Sequence, residues 1–114
     1  MAKYSRDKGI QISEKEFETQ VKHLAALLGW GYYHTHRSQF SPAGFPDCVM
    51  GRLEPQPRLV FAELKSDKGQ LSAEQYEWLE LLQYMGGPVE AYLWLPDDFD
   101  RIVEILERSE VSDE

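Results

Sequence analysis

The stretch Leu59-Val60-Phe61-Ala62-Glu63-Leu64-Lys65 constrains this chain more than any other. An apolar run of that length reads as a buried strand. Successive strand residues point to opposite faces, so Glu63 and Lys65 share a face with Phe61 while Val60, Ala62 and Leu64 take the other. Two residues of rise set the Cβ atoms of Glu63 and Lys65 roughly 6.6 Å apart. A carboxylate and an ammonium at the end of an apolar strand need partners or a task.

Asp47 supplies a second carboxylate. Gly44-Phe45-Pro46 reads as a turn that presents Asp47, which opens another apolar run, Cys48-Val49-Met50. Residues 51–58 carry two prolines and read as a hairpin connection, so the two runs become antiparallel neighbours. Asp47 and Glu63 then meet at that edge of the sheet. Two strand-borne carboxylates beside a lysine suit a hard cation such as Mg²⁺, completed by water and substrate phosphate. The lysine activates or orients an attacking water, or stabilises charge on the phosphate.

Pro46-Asp47 followed by Glu63-Leu64-Lys65 matches the PD-(D/E)XK nuclease signature. With Ser41-Pro42-Ala43-Gly44-Phe45 before it and Lys68-Gly69-Gln70-Leu71-Ser72-Ala73-Glu74-Gln75 after it, the chain resembles the small stand-alone form of the VRR-NUC (virus-type replication-repair nuclease) domain over residues 13–106. The resemblance implies a restriction-endonuclease-like core and a Mg²⁺-dependent DNA phosphodiesterase in which Mn²⁺ substitutes. It makes Asp47, Glu63 and the Leu64 backbone carbonyl the metal ligands, with Lys65 assisting. It also implies a glutamine beside the site at Gln75 and a phosphate or water contact from His34. Such small domains are similar to Holliday-junction resolvases in fold and size, which implies a homodimer cutting branched DNA, junction or flap, in phage or bacterial recombination and repair.

The helices bring further candidates. Ser13 reads as an N-cap with Glu16 completing a capping box. Phe17, Val21, Leu24 and Leu28 form a core-facing stripe, and Gly29 ends the helix. One turn back lies Glu14, either a first-turn acid favoured by the helix dipole or a third acidic group touching metal directly or through water. Glu18, one residue off the stripe, competes for that role. Ser72 and Gln75 form a second capping box, so Gln75 either caps its helix or serves the site. Trp78, Leu79, Leu82 and Met85 are expected to face inward on that helix, which Gly86-Gly87-Pro88 stops.

Between helix and turn, Tyr32, His34 and His36 share one face of a strand; the His-x-His pair lacks an evident third ligand, and a half-exposed strand accounts for it better. In the loop that follows, Arg37, Ser38 and Ser41 suit phosphate, as does Lys68 further on. Phe40 either stacks on a base or covers the core edge. A fourth strand spans residues 89–95, and Pro96-Asp97 opens a last helix with Phe99, Ile102, Val103 and Leu106 on its apolar side. The order α-β-β-β-α-β-α contains a β-α-β crossover and predicts an α/β fold, a mixed four-stranded sheet flanked by helices. Residues 1–12 read as a flexible arm, 13–108 as the nuclease domain and 109–114 as an acidic tail.

Charge bears on the partner. The 114 residues carry a formal net charge of −8, which argues against a general polyanion binder. The acids crowd the C-terminal part, however, while Arg37, Arg52, Arg58, Lys65 and Lys68 are expected to flank the site, and a bound metal adds positive charge. The competing reading is a nuclease fold that no longer cuts, an acidic protein-binding or DNA-mimic module; intact Asp47, Glu63 and Lys65 weigh against it. Cys48 is the single cysteine, which excludes an internal disulfide and a cysteine-cluster zinc site. No apolar run approaches a membrane span, and no apolar signal region follows Met1, so a cytoplasmic protein is expected.

Overall fold

A capping box opens the first helix. Ser13 Oγ accepts from the Glu16 N–H at 3.0 Å, and Glu16 Oε1 accepts from the Ser13 N–H at 2.9 Å. The computed structural model of the chain describes residues 12–36, 39–66 and 69–109. In chain order the elements are α1 (Glu14–Leu27), β1 (Gly31–His34), β2 (Cys48–Arg52), β3 (Arg58–Leu64), α2 (Ala73–Met85), β4 (Val89–Trp94), a 3₁₀ turn (Pro96–Asp98) and α3 (Phe99–Glu107). This is the expected α-β-β-β-α-β-α order.

The sheet runs β1-β2-β3-β4. The first three strands are antiparallel neighbours, and β4 joins β3 in parallel through the α2 crossover. Alternation along β3 divides the core in two. Val60, Ala62 and Leu64 pack with Phe17, Val21 and Ala25 of α1 and with Ile102, Ile105 and Leu106 of α3. Phe61 instead packs with Leu79 and Leu82 of α2. Helices α1 and α3 therefore cover one face and α2 the other, which sends the next odd-numbered residue, Glu63, to the α2 side.

Several details depart from expectation. The buried row of α1 is Phe17-Val21-Ala25, with Leu24 and Leu28 only part-buried beside it. Met85 is 65% exposed, because the α2 residue that closes the helix lies beyond the second core cluster. Ile12, placed with the leading arm, packs against the α1–α3 core. The rest of the arm, and the tail from Glu110, lie outside the described residues.

Arg52 and Arg58 do not flank the site. They pair with each other in the β2–β3 register, at the end of the hairpin away from Asp47 and Glu63. Five residues of strand separate the two ends by about 16 Å. There Arg58 grips Glu90 in a two-pronged ion pair, Nε to Oε2 at 2.7 Å and Nη2 to Oε1 at 2.8 Å, with both side chains buried. Tyr92 Oη donates to the same carboxylate at 2.6 Å. Both guanidiniums lie over the Trp30 ring and donate to carbonyls at the end of α3, Arg52 to Leu106 and Arg58 to Arg108. Their charge is spent inside the molecule.

Candidate active site

Register places the two acids together. Cys48 of β2 faces Ala62 of β3. One step further along the same antiparallel ladder, Asp47 faces Glu63, and cross-strand neighbours share a sheet face. The two stand at the ends of the central strands rather than on a lateral edge. Asp47 is fixed by its backbone and by its side chain: its carbonyl accepts from the Thr35 N–H at 2.8 Å, and Oδ2 accepts from the Leu64 N–H at 2.7 Å.

The loop before Asp47 is held by close packing. Gly44 has φ +99°, and a Cβ there would come within 2.6 Å of the Glu74 backbone in the first turn of α2. Only glycine accepts both the conformation and the approach. Phe45 packs edge-on between Phe61 and Trp78, with ring centroids 5.9 and 5.0 Å away.

Glu63 is 2% exposed. Its Oε2 accepts from Gln75 Nε2 at 2.6 Å, while its Oε1 is buried without a hydrogen-bond donor. Gln75 does both things expected of it as alternatives. Its Oε1 accepts from the Ser72 N–H at 2.9 Å, its own N–H donates to Ser72 Oγ at 3.1 Å, and its amide nitrogen still reaches Glu63. Burial, then the Asp47 carboxylate, push the Glu63 carboxyl up to about 8; Lys65 opposes the shift and Glu14 adds to it. Lys65 is half-buried, and its chain lies so close to Gly69 that a Cβ there would sit 2.9 Å from Lys65 Cδ.

Glu14 and Glu18 occupy successive turns of α1, on the face opposite Glu63, and reach two different strand ends. Glu14 Oε2 accepts from the Ser66 N–H, just past β3, at 3.2 Å. Glu18 Oε2 lies 2.8 Å from His34 Nδ1. His34 faces Cys48 in the β1–β2 register, on the α1 side, with its ring edge-on to His36. The Glu18–His34 pair carried no signal in the sequence beyond the i, i+4 relation of two acids on one helix. Ser41 is exposed in its loop. Arg37, Ser38 and Lys68 lie outside the described residues.

Among the described residues no group of three or more His, Cys, Asp or Glu side chains stands ready to hold a metal ion. The Asp47–Glu63 pair itself fits a hard divalent cation. Its donors are all oxygen, and the buried Glu63 Oε1 lacks a partner that a cation would supply. The raised carboxyl holds a proton near neutrality that a cation would replace.

No family model matches the chain, and no curated protein matches it. A solved structure does: Hjc, a Holliday junction resolvase from the archaeal hyperthermophile Archaeoglobus fulgidus, is 26% identical, with a TM-score of 0.52, over 72% of this chain and 69% of that one. No helix among the described residues is long and apolar enough to cross a membrane. The mixed four-stranded sheet with its three helices is the restriction-endonuclease-like fold, as in that resolvase.

Proposed function

We propose that the protein is a divalent-metal-dependent DNA endonuclease of the VRR-NUC type that hydrolyses phosphodiester bonds in branched DNA, Holliday junctions or flaps. The observation that carries this reading is the facing of Asp47 and buried, half-satisfied Glu63 at the ends of the two central strands, with Lys65 next to them. Likeness to a Holliday junction resolvase supports the substrate class. Phage or bacterial recombination and repair, in the cytoplasm, is the setting such an activity serves.

Asp47, Glu63 and the Leu64 carbonyl would hold Mg²⁺, or Mn²⁺ in its stead. When bound, such a cation polarises a phosphate and lowers the pKa of an attending water. The chain's own groups supply the rest. The Leu64 N–H orients Asp47 through Oδ2, and Gln75 orients Glu63 through Oε2. Lys65 sets a positive charge on the shared face, where it offsets charge on a scissile phosphate or orients the attacking water. Glu14, tied to the Ser66 N–H, adds a third negative charge behind the strand end and acts through water. Arg37, Ser38, Ser41, Lys68 and His34 are the proposed phosphate contacts. A homodimer would deliver two such sites related by a two-fold axis, as symmetric cutting requires.

The test is one gel. Purified protein with Mn²⁺, or with EDTA, is incubated with linear, flap and four-way DNA, and Glu63→Gln serves as the control for contaminating nuclease. Metal-dependent cutting of the branched forms, lost in the control, is expected. Neither cutting nor DNA binding, with or without metal, would favour the silent acidic module, the reading that the net charge of −8 supports.

A further inference from the structure

The start of α2 touches both the loop that delivers Asp47 and the side chain of Glu63. Glu74 abuts Gly44 in the loop that delivers Asp47, and no Cβ fits between them. One residue on, Gln75 donates to Glu63. One turn further, Trp78 receives Phe45 from that same loop. The geometry points to this turn as the template that sets how Asp47 and Glu63 approach one another, with Ser72 and Gly44 as its positioning residues. The inference rests on the nuclease reading for its effect on catalysis, and on hydrogen bonding alone for its structural half.

The capping box determines which end of the Gln75 amide meets the acid. Ser72 offers its N–H, a donor, so it takes the amide oxygen and leaves the NH₂ group facing Glu63. Reversed, the amide would set its oxygen against a carboxylate oxygen and its NH₂ against an N–H, both repulsive. Ser72 Oγ holds the Gln75 backbone N–H at 3.1 Å and so fixes the residue from which the amide swings. Gln75 engages Oε2 of Glu63 and leaves Oε1 without a contact from α2. Gly44 performs the matching task for Asp47, since it lets the loop lie against the same turn. A capping box normally stabilises a helix start. Here its N3 side chain has a second hydrogen bond that the cap does not need.

Two variants separate capping from positioning. Gln75→Glu keeps a side chain suited to the capping box but loses the NH₂ donor. Ser72→Ala loses the Oγ acceptor, and Ser72→Thr restores it. Each is followed by thermal melting, by the NMR signal and solvent exchange of the Gln75 side-chain amide in metal-free protein, and by Mn²⁺-dependent junction cleavage. In wild type and Ser72→Thr the amide protons are expected to be protected from exchange; in Ser72→Ala, which keeps the Ser72 N–H but no longer holds the Gln75 backbone, they should exchange faster. Gln75→Glu sets a carboxylate oxygen against Glu63 where the NH₂ stood, so it should melt below wild type and, while still folded, lose about tenfold in kcat at unchanged KM for DNA, as misplaced catalytic groups do. Ser72→Ala and Gly44→Ala should show the same kcat-only loss, and Ser72→Thr should recover it. Wild-type kcat in Gln75→Glu, or a Gln75 amide unprotected in the wild type, would overturn the template. Wild-type protein that cuts no DNA would remove the nuclease reading alone, and the amide protection would still decide the template.

Discussion

Asp47 faces Glu63 one step beyond the last paired residues of the central hairpin, and its Oδ2 accepts from the backbone N–H of Leu64, the residue next to Glu63. One acid is thereby anchored to the strand that bears the other. If the pair holds the catalytic metal, Asp47→Ala, Glu63→Ala and Lys65→Ala should each lower cleavage at least ~100-fold with the fold retained by circular dichroism. Near-wild-type cutting by Glu63→Ala would end the assignment.

Protonation of Glu63 makes the site pH-dependent. Folded, this carboxyl titrates near 8 rather than at its ordinary 4.5. Between those values the folded chain holds a proton that the unfolded chain has released. The metal-free protein should therefore lose stability as pH rises through that window and level off above it. Chemical denaturation at several pH values checks this, and Glu63→Gln should flatten the slope. Mn²⁺ affinity should move the opposite way, tightening toward pH 8 with release of about one proton per ion, measured by calorimetry in two buffers. Binding that ignores pH would contradict the assignment.

The two acids of α1 should behave differently. Glu14 reaches the end of β3, whereas Glu18 is engaged with His34 on β1. Glu14→Gln is expected to reduce metal-dependent cleavage several-fold, and Glu18→Gln to leave it unchanged. The reverse pattern would assign the third charge to Glu18.

At the far end of the hairpin, Arg58 and Glu90 form a buried pair distant from the site. Arg58→Ala or Glu90→Ala leaves an unpaired buried charge and should cost about 3 to 5 kcal/mol in denaturant unfolding. Cleavage by protein still folded should be preserved. A loss of cleavage without loss of stability would mean that this end contacts DNA.

Self-association is open to direct measurement. Phe40, Tyr76 and Tyr84 are exposed aromatics suited to an interface core, whereas Trp94 is buried and Trp78 is part of the α2 core. A dimer of so acidic a chain should tighten as salt screens repulsion. Light scattering at micromolar protein, in low and moderate salt and with junction DNA, tests this; a monomer throughout would defeat the symmetric-cutting version.

What the sequence disclosed and what it hid follow from range. Alternation along 59–65 fixed which face Glu63 takes, and the proline-bearing hairpin fixed its neighbour, so the Asp47–Glu63 relation was legible. Both capping boxes were legible for the same reason, since each lies within four residues. The Arg58–Glu90 pair spans 32 positions, and nothing local in Glu90, inside an apolar strand, announces its partner. The misplacement of Arg52 and Arg58 arose from counting charges near the motif without following them down the hairpin. Helix phase leans Glu14 toward the sheet, but phase alone does not reveal that the backbone N–H of Ser66 occupies its carboxylate.

The position of the carboxylates in the strand order has one more consequence. β2 and β3 each have a strand on both sides, whereas β1 and β4 have one. Amide protons on the inner pair escape only when the whole domain opens, while those on the outer strands can leave through fraying. Hydrogen exchange at Met50 and Ala62, both fully buried, should then proceed at the rate of global unfolding. Glu63 rides on the last part of the molecule to yield, so heat would abolish its place in the site and the fold at a single temperature.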